Sequence, residues 1–157
     1  MEFTHFDKEG NARMVDVSMK AETERRAVAK GSIYMNREAF DAILQKKVKK
    51  GDVLTVAQTA GIMGTKRTPD LIPMRHPLML TNAAVTFSLS EPECCITVRC
   101  ETKTTGKTGV EMEALTGAMT ALLTIYDMCK AIDRSMRIDE LRLVEKEGGK
   151  SGLFRAE

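Results

Sequence analysis

A carboxylate and an amine three residues apart on a helix can pass a proton between them, and Asp127 and Lys130 have that spacing in the segment LTGAMTALLTIYDMCKA. Glu113 precedes Asp127 by fourteen residues, close to four helical turns, so it projects from about the same face. The ordinary account of such residues is a surface ion pair worth a few tenths of a kcal/mol. The segment is strongly apolar, however, and carboxylates set into it are expected to be partly buried, hence paired or functional. At 1.5 Å per residue the two acids stand about 20 Å apart, too far for one small reacting centre to touch both. Two antiparallel copies of the helix would bring Glu113 of one subunit to Asp127 of another, and a two-fold interface is the commonest way to do so. The spacing therefore predicts an active site shared between subunits.

Other residues supply cations and a titratable ring. Lys50 closes the run Lys46, Lys47, Lys49, Lys50 just ahead of a helix start, where its charge could join the helix N-terminus in holding a phosphate. A solvated basic face is the plainer alternative. Lys66 and Arg67, at that helix's other end, suit the negative end of its dipole. His76 stands between Arg75 and Pro77 in a proline-fixed loop, which brings a functional role for a lone imidazole level with plain surface or core packing. Gly106-Lys107-Thr108 and Gly149-Lys150-Ser151 end like phosphate-binding loops, but Glu101 and Val144 stand where the pattern needs its first glycine. Two readings remain for them: flexible turns, or places where backbone N–H groups and an ammonium approach an anion.

Composition narrows the class. The 157 residues are 43% apolar and 29% charged with a net charge of +2, which fits one globular domain and not a coat for DNA or anionic membrane. Aromatics are 4% and Trp is absent, so base-stacking platforms are poorly supplied and no nucleic-acid partner is expected. The longest uncharged apolar stretch, Ala114 to Tyr126, is 13 residues and too short to span a bilayer. The N-terminus lacks the pattern of a signal peptide, which predicts a cytoplasmic protein. Cys94, Cys95, Cys100 and Cys129 show no Cys-x-x-Cys spacing and only His5 and His76 join them, so reduced, packed thiols and no protein-bound metal are expected.

The elements that must position these residues follow from periodicity. Arg25 to Met35 reads as a strand broken near Gly31, and Asn36 caps a short helix through Gln45. A second helix runs from Asp52 to about Lys66, where Pro69 stops it. Leu71 to Pro77 is a loop. Strands Met79–Leu89 and Cys94–Lys103 flank the turn at Ser90 to Glu93. The longest helix opens at Thr108 or Gly109 and runs to about Ile132, apolar nearly all round, so it is buried or lies in an interface. A strand at Ile138–Val144 precedes a glycine-rich tail (147–157), and residues 1–12 form a flexible arm. This order predicts a single α+β domain over residues 1–157, a ferredoxin-like antiparallel sheet with helices packed on one face.

Several collinear stretches resemble one family: THF at 4–6, RMVDVS at 13–18, KGDVLTVAQTAGIMGTKRTPDLIPM at 50–74, HPLMLT at 76–81, TGKTGVEMEALTGAMTALLTIYDMCKAIDR at 105–134 and EGGKSG at 147–152. They are similar to the cyclic pyranopterin monophosphate synthases, lyases of the first stage of molybdenum-cofactor biosynthesis. The resemblance implies a ferredoxin-like subunit in a homohexamer built as a trimer of dimers, with active sites at the dimer interface. It implies a purine-derived substrate, a cyclic dihydroguanosine triphosphate made by a radical GTP-cyclising enzyme, and cyclic pyranopterin monophosphate and diphosphate as products. No redox or metal cofactor is implied, although Mg²⁺ can accompany the phosphates. By the same resemblance Asp127 and Lys130 match the catalytic pair, and Lys50, His76, Glu111 and Glu113 match pocket positions. Met74 to His76 and Met112-Glu113 match substrate-binding segments, while Arg25, Lys66 and Lys146 match basic positions expected to meet phosphate.

The chain departs from the family pattern at Arg75, where a Cys is usual. A long permanent cation then replaces a small thiol beside His76, and the expectation is firm triphosphate binding with impaired turnover, reversed by Arg75→Cys. The competing class is a non-catalytic ferredoxin-like module holding nucleotide or RNA. That class explains the Lys/Gly segments but not buried acids on an apolar helix, and a steep salt dependence of RNA binding would mark it.

Overall fold

The computed structural model describes residues 5–156. The order is β1 (Thr23–Tyr34), α1 (Arg37–Leu44), α2 (Val53–Lys66), α3 (Thr68–Leu71), β2 (Asn82–Ser90), β3 (Cys95–Gly106), α4 (Glu111–Cys129), β4 (Arg137–Glu147) and β5 (Phe154–Arg155). The strands form one antiparallel sheet in the order β2-β3-β1-β4-β5. Its first four strands have the split β-α-β-β-α-β layout expected for a ferredoxin-like α+β fold, with the helices on one face. The strand expected to end at Val144 runs on to Glu147, and within the tail expected at 147–157 the chain turns at Gly148 and Gly149 and β5 pairs back on β4. The first four residues of the expected arm lie outside the described residues. Within its remainder, the Asp7 carboxylate accepts from the Glu9 and Asn11 amides and Phe6 bridges to Ala12.

Side-chain alternation sorts the sheet into two faces. Ala27, Ala29 and Ile33 of β1 and Ile96, Val98 and Cys100 of β3 enter the core with Phe40, Ala118, Leu122 and Ile125 of the helices. On the opposite face Arg26 sits between Glu101 at 2.7 Å and Glu145 at 2.6 Å, and Glu145 also receives Arg99 at 2.5 Å.

Asn36 caps α1 as the sequence suggests, and Asp52, read from sequence as the first helical residue, is instead the N-cap of α2. The Asn36 side chain accepts from the Ala39 amide and that of Asp52 from the Thr55 amide, each satisfying an N–H that the first turn leaves free. Several expectations are refined or corrected. Gly31 does not break β1: pairing with β3 is continuous, and the irregularities are register shifts against β4 between Val28 and Ala29 and between Lys30 and Ser32. A Cβ at Gly31 would lie 2.9 Å from Leu122 and 3.2 Å from Leu141, so the missing side chain makes room for both. Pro69 follows the end of α2 but also sits in the first turn of α3, where its absent N–H costs nothing. Helix α4 is shorter at both ends than expected, and β2 begins three residues later.

Helix α2 packs on α4 through small residues. A Cβ at Gly61 would stand 3.0 Å from the Gly117 carbonyl oxygen, and one at Gly64 would stand 2.8 Å from Thr120 Cβ. The two backbones therefore approach closely along this line, which fixes α2 relative to the charges on α4.

Candidate active site

Charged candidate side chains collect at the two ends of α4. At its C-terminal end, Asp127 Oδ1 accepts from Lys130 Nζ at 2.6 Å and Oδ2 accepts from Lys50 Nζ at 2.8 Å, while Lys50 also donates to the Asp127 carbonyl at 2.9 Å. Lys130 reaches because it lies three residues on, one helical turn away. Lys50 arrives from the loop before α2, which is anchored by Asp52 as N-cap and by Lys46 on Asp52 at 2.8 Å. Hydrogen bonds from Lys130 and then Lys50 hold the Asp127 carboxyl at about 2, with their charges acting in the same direction. A cleft of about 300 Å³ opens here, lined also by Tyr126, Ala131 and Arg134. The Tyr126 hydroxyl donates to the Arg134 carbonyl at 3.0 Å, closing the helix end against the chain that follows.

Partial burial was expected for both acids and holds for one. Glu113 is 2% exposed, whereas Asp127 is 56% exposed because the last turn of α4 turns Met128 and Cys129 inward instead. The Cys129 thiol is pushed up to about 11 by burial against the pull of Lys50, and burial raises Cys100 to about 12, so both stay protonated at neutral pH. The cysteines are free, Cys94 half-buried and the others buried, as the sequence reading has it.

The N-terminal end of α4 is built differently. Arg25 of β1 donates from Nε to the Gly106 carbonyl at 2.9 Å and from Nη2 to the Lys107 carbonyl at 3.3 Å, shaping the turn that leads into α4. Thr102 Oγ1 donates to the Val110 carbonyl at 3.0 Å and pins the helix start to β3. Glu111 pairs with Lys146 of β4 at 2.5 Å. Burial works to raise the Glu111 carboxyl, and the Lys146 hydrogen bond with the charges of Lys146 and Arg75 overcomes it, leaving the group below its ordinary value. A Cβ at Gly109 would collide with the Glu111 carboxylate, and one at Gly149 (φ 76°) with the Arg25 guanidinium. Gly149 holds a positive-φ backbone that favours glycine, while at Gly109 a side chain would require the Glu111 carboxylate to swing away.

Arg25, Gly109, Glu111, Lys146 and Gly149 line a cleft of about 570 Å³ with Lys20, Lys107, Thr108, Lys150 and Ser151. Lys107 Nζ donates to the Ser18 carbonyl at 2.8 Å and holds the segment before β1 along the rim. The sequence reading left Lys20, Thr108 and Ser151 outside its site residues and treated the two Gly-Lys segments as open. The signal was there in the repeated glycine beside lysine, but only the β1–β3 and β1–β4 pairings bring the segments together. Tyr126 and Arg134 were also missed, although their placement one before Asp127 and four after Lys130 puts them beside that pair.

Of the remaining expected site residues, Met112 is partly buried in the first turn of α4 and Lys66 is exposed at the end of α2. Met74, Arg75 and His76 lie partly buried in the loop between α3 and β2. Met74, His76, Met112 and Lys66 are outside the linings of both clefts. Arg75 is turned inward: Nε donates to Glu113 Oε1 at 2.8 Å, Nη2 to Oε2 at 2.6 Å, and Nη2 also to the Gly109 carbonyl. Among the described residues no three His, Cys, Asp or Glu side chains gather as a metal site, and no helix is long and apolar enough to cross a membrane.

A split β-α-β-β-α-β sheet whose longest helix carries an acid–cation cluster at each end places the molecule among ferredoxin-like α+β proteins with a charged, anion-suited cleft. Residues 14–149 match the MoaC family, and the chain belongs to that family. It is 58% identical over 156 residues to a protein of Natranaerobius thermophilus, covering 99% of this chain and 98% of that protein. It is 57% identical over 157 residues to one of Thermoanaerobacter pseudethanolicus, covering 100% and 99%, and 56% identical over 156 residues to one of Listeria monocytogenes, covering 99% and 97%. Each of these relatives bears the name cyclic pyranopterin monophosphate synthase.

Proposed function

We propose that this chain is a cyclic pyranopterin monophosphate synthase: a lyase that converts the cyclic dihydroguanosine triphosphate to cyclic pyranopterin monophosphate and diphosphate in molybdenum-cofactor biosynthesis. The observation that carries the reading is the division of labour along α4, with exposed proton-transfer groups at one end and a cationic cleft at the other. Ring opening, ring closure and formation of the cyclic phosphate need positioned proton donors and acceptors, and a departing diphosphate needs cations.

Lys20, Lys107, Lys146 and Lys150 around the larger cleft supply those cations. A phosphate entering there competes with Glu111 for Lys146. At the other end Asp127, held at about 2, is a poor base while both lysines grip it. Substrate that draws one ammonium away frees a carboxylate oxygen to accept a proton, and the other lysine remains as donor. Lys130 and Asp127 are thereby the proton-carrying pair, with Lys50 as the second cation.

Sixteen residues separate Glu111 from Asp127, about 24 Å along the helix, so the two clefts of one chain do not meet on one small molecule. The working assembly is a symmetric oligomer, a hexamer as a trimer of dimers, in which the large cleft of one subunit faces the Asp127 cluster of another. Exposed Val56, Met63 and Leu123 on α2 and α4 give apolar surface for such contacts. Light scattering checks this: an active monomer of 17.4 kDa would overturn the shared site. The protein works in the cytoplasm downstream of the radical enzyme that makes its substrate. The alternative of a non-catalytic nucleotide- or RNA-binding module is not favoured, given full-length relatives named as synthases.

The test is direct turnover. The cyclic triphosphate should yield diphosphate and a pterin that fluoresces after oxidation, in equal amounts. Absence of pterin under conditions where a relative produces it would remove the reading.

A further inference from the structure

Arg75 and Glu113 form an ion pair with both side chains withdrawn from water, 12% and 2% exposed. Both carboxylate oxygens of Glu113 are taken by the guanidinium at 2.8 and 2.6 Å, and the same Nη2 reaches the Gly109 carbonyl. Gly109 lines the large cleft and lies beneath the Glu111 carboxylate, whose partner Lys146 lines it too. Neither Arg75 nor Glu113 lines that cleft. One planar fork therefore joins three things: the loop bearing Met74 and His76, the buried face of α4, and the cleft wall at Gly109.

We infer that Arg75 is a positioning residue, which fastens the Met74–His76 loop to α4 and sets the wall of the phosphate cleft through Glu113 and Gly109 without itself touching the phosphates. An ammonium keeps the charge of this group but not its fork. The inference rests on the proposed activity only for its kinetic readout, so the primary test uses inorganic tripolyphosphate as the probe, titrated calorimetrically into the full-length protein.

Glu113→Gln gives a test of sign. A lost negative charge near a polyphosphate site should by Coulomb's law tighten binding, whereas a displaced cleft wall should weaken it. The expected result is weaker binding by Glu113→Gln, by about threefold or more, and by both Arg75→Gln and Arg75→Lys, by about tenfold. Rescue by Arg75→Lys would mean that the cation meets phosphate directly and would overturn the inference. So would unchanged or tighter binding by Glu113→Gln, or no measurable tripolyphosphate binding by the parental chain.

Because a single substitution can unfold the chain, the double variant Arg75→Met with Glu113→Leu replaces the pair by apolar groups of comparable size, a change that keeps stability. It should fold and still bind tripolyphosphate about tenfold more weakly. Parental affinity in the double variant would show a purely structural pair and overturn the inference. In turnover assays the Arg75 variants should raise KM about tenfold with kcat within about threefold, and an unchanged KM would also overturn the inference. A parental chain that binds tripolyphosphate but makes no pterin removes the proposed activity, while the binding titrations still judge Arg75.

Discussion

The two ends of α4 hold similar charges under opposite conditions. Asp127, Lys50 and Lys130 are each about half exposed, and one carboxylate is shared between two exposed ammonium groups. Glu113 is buried and gripped on both oxygens by a rigid fork. Exposed pairs can exchange partners when a substrate arrives, because water screens the cost of parting them. Buried pairs cannot, because each half alone would be an uncompensated charge. Chemistry is therefore assigned to the exposed end and shape to the buried one, although burial alone would have ranked Glu113 as the more suspicious acid.

The largest effects should come from the exposed end and should be kinetic. Asp127→Asn and Lys130→Ala are expected to cut kcat by about 10²–10⁴. Their melting temperatures should stay within about 2 °C, since pairs this exposed contribute little to stability. Near-parental kcat in either variant, or loss of activity only together with the circular dichroism signal, would erase the contrast.

The buried end should give the largest effect on stability. Arg75→Ala leaves a buried carboxylate unpaired, which costs about 3–5 kcal/mol and lowers the melting temperature by roughly 10 °C at this chain length. Thermal unfolding checks it, and a shift as small as that of Lys130→Ala would make the two ends equivalent. Arg75→Cys is expected to share the loss, opposite in direction to the gain in turnover that sequence suggests. The guanidinium lies on Glu113 rather than on a path to the phosphates, so its removal takes away a support.

A smaller contrast concerns acid and salt. Asp127 titrates below its ordinary 3.8, so its contribution to stability is complete above about pH 4 and is lost as pH falls through about 2. No acidic limb of kcat near pH 4 should then arise from it while the lysines are bound. Raising ionic strength from 0.01 to 1 M shortens the screening length from about 30 to about 3 Å, and the Asp127 carboxyl midpoint, followed by carbon NMR, should drift upward toward 3.8. A midpoint indifferent to salt would mean the pair is less open than its exposure indicates. The least effect is expected from exhaustive chelation of transition metals, which should leave kcat unchanged. Two histidines and thiols held protonated by burial are a poor donor set, and inactivation reversed specifically by zinc would contradict this.

What the sequence disclosed was chiefly local. Asn36 and Asp52 announce helix starts because a cap acts within three residues. Asp127 and Lys130 meet because a helix brings i and i+3 together. The alternation of Ile96 and Val98 with Thr97 and Arg99 marks β3 because one face meets the helices. What stayed hidden depends on residues far apart in the chain. Arg75 and Glu113 are separated by 38 positions, and no periodicity tells a loop arginine to turn inward. The lysines of the large cleft come from three segments that only the finished sheet assembles. Gly31 looked like a strand breaker because its partners Leu122 and Leu141 are visible only once α4 and β4 are packed.

The glycine contact between α2 and α4 has a mechanical consequence. Val53, where α2 begins, lies about 12 Å along the axis from Gly61, and Lys50 hangs from the loop just beyond. Gly61 against Gly117, and Gly64 against Thr120, make a fulcrum with no slack: a single added methyl must push the helices apart there. The long arm of that lever ends at the ammonium that grips Asp127, so a shift too small to disturb the core is delivered at the far end as a misaligned hydrogen bond. The alignment of the Lys50–Asp127 pair thus depends on residues without side chains, two turns and more along α2 from the loop they keep in line.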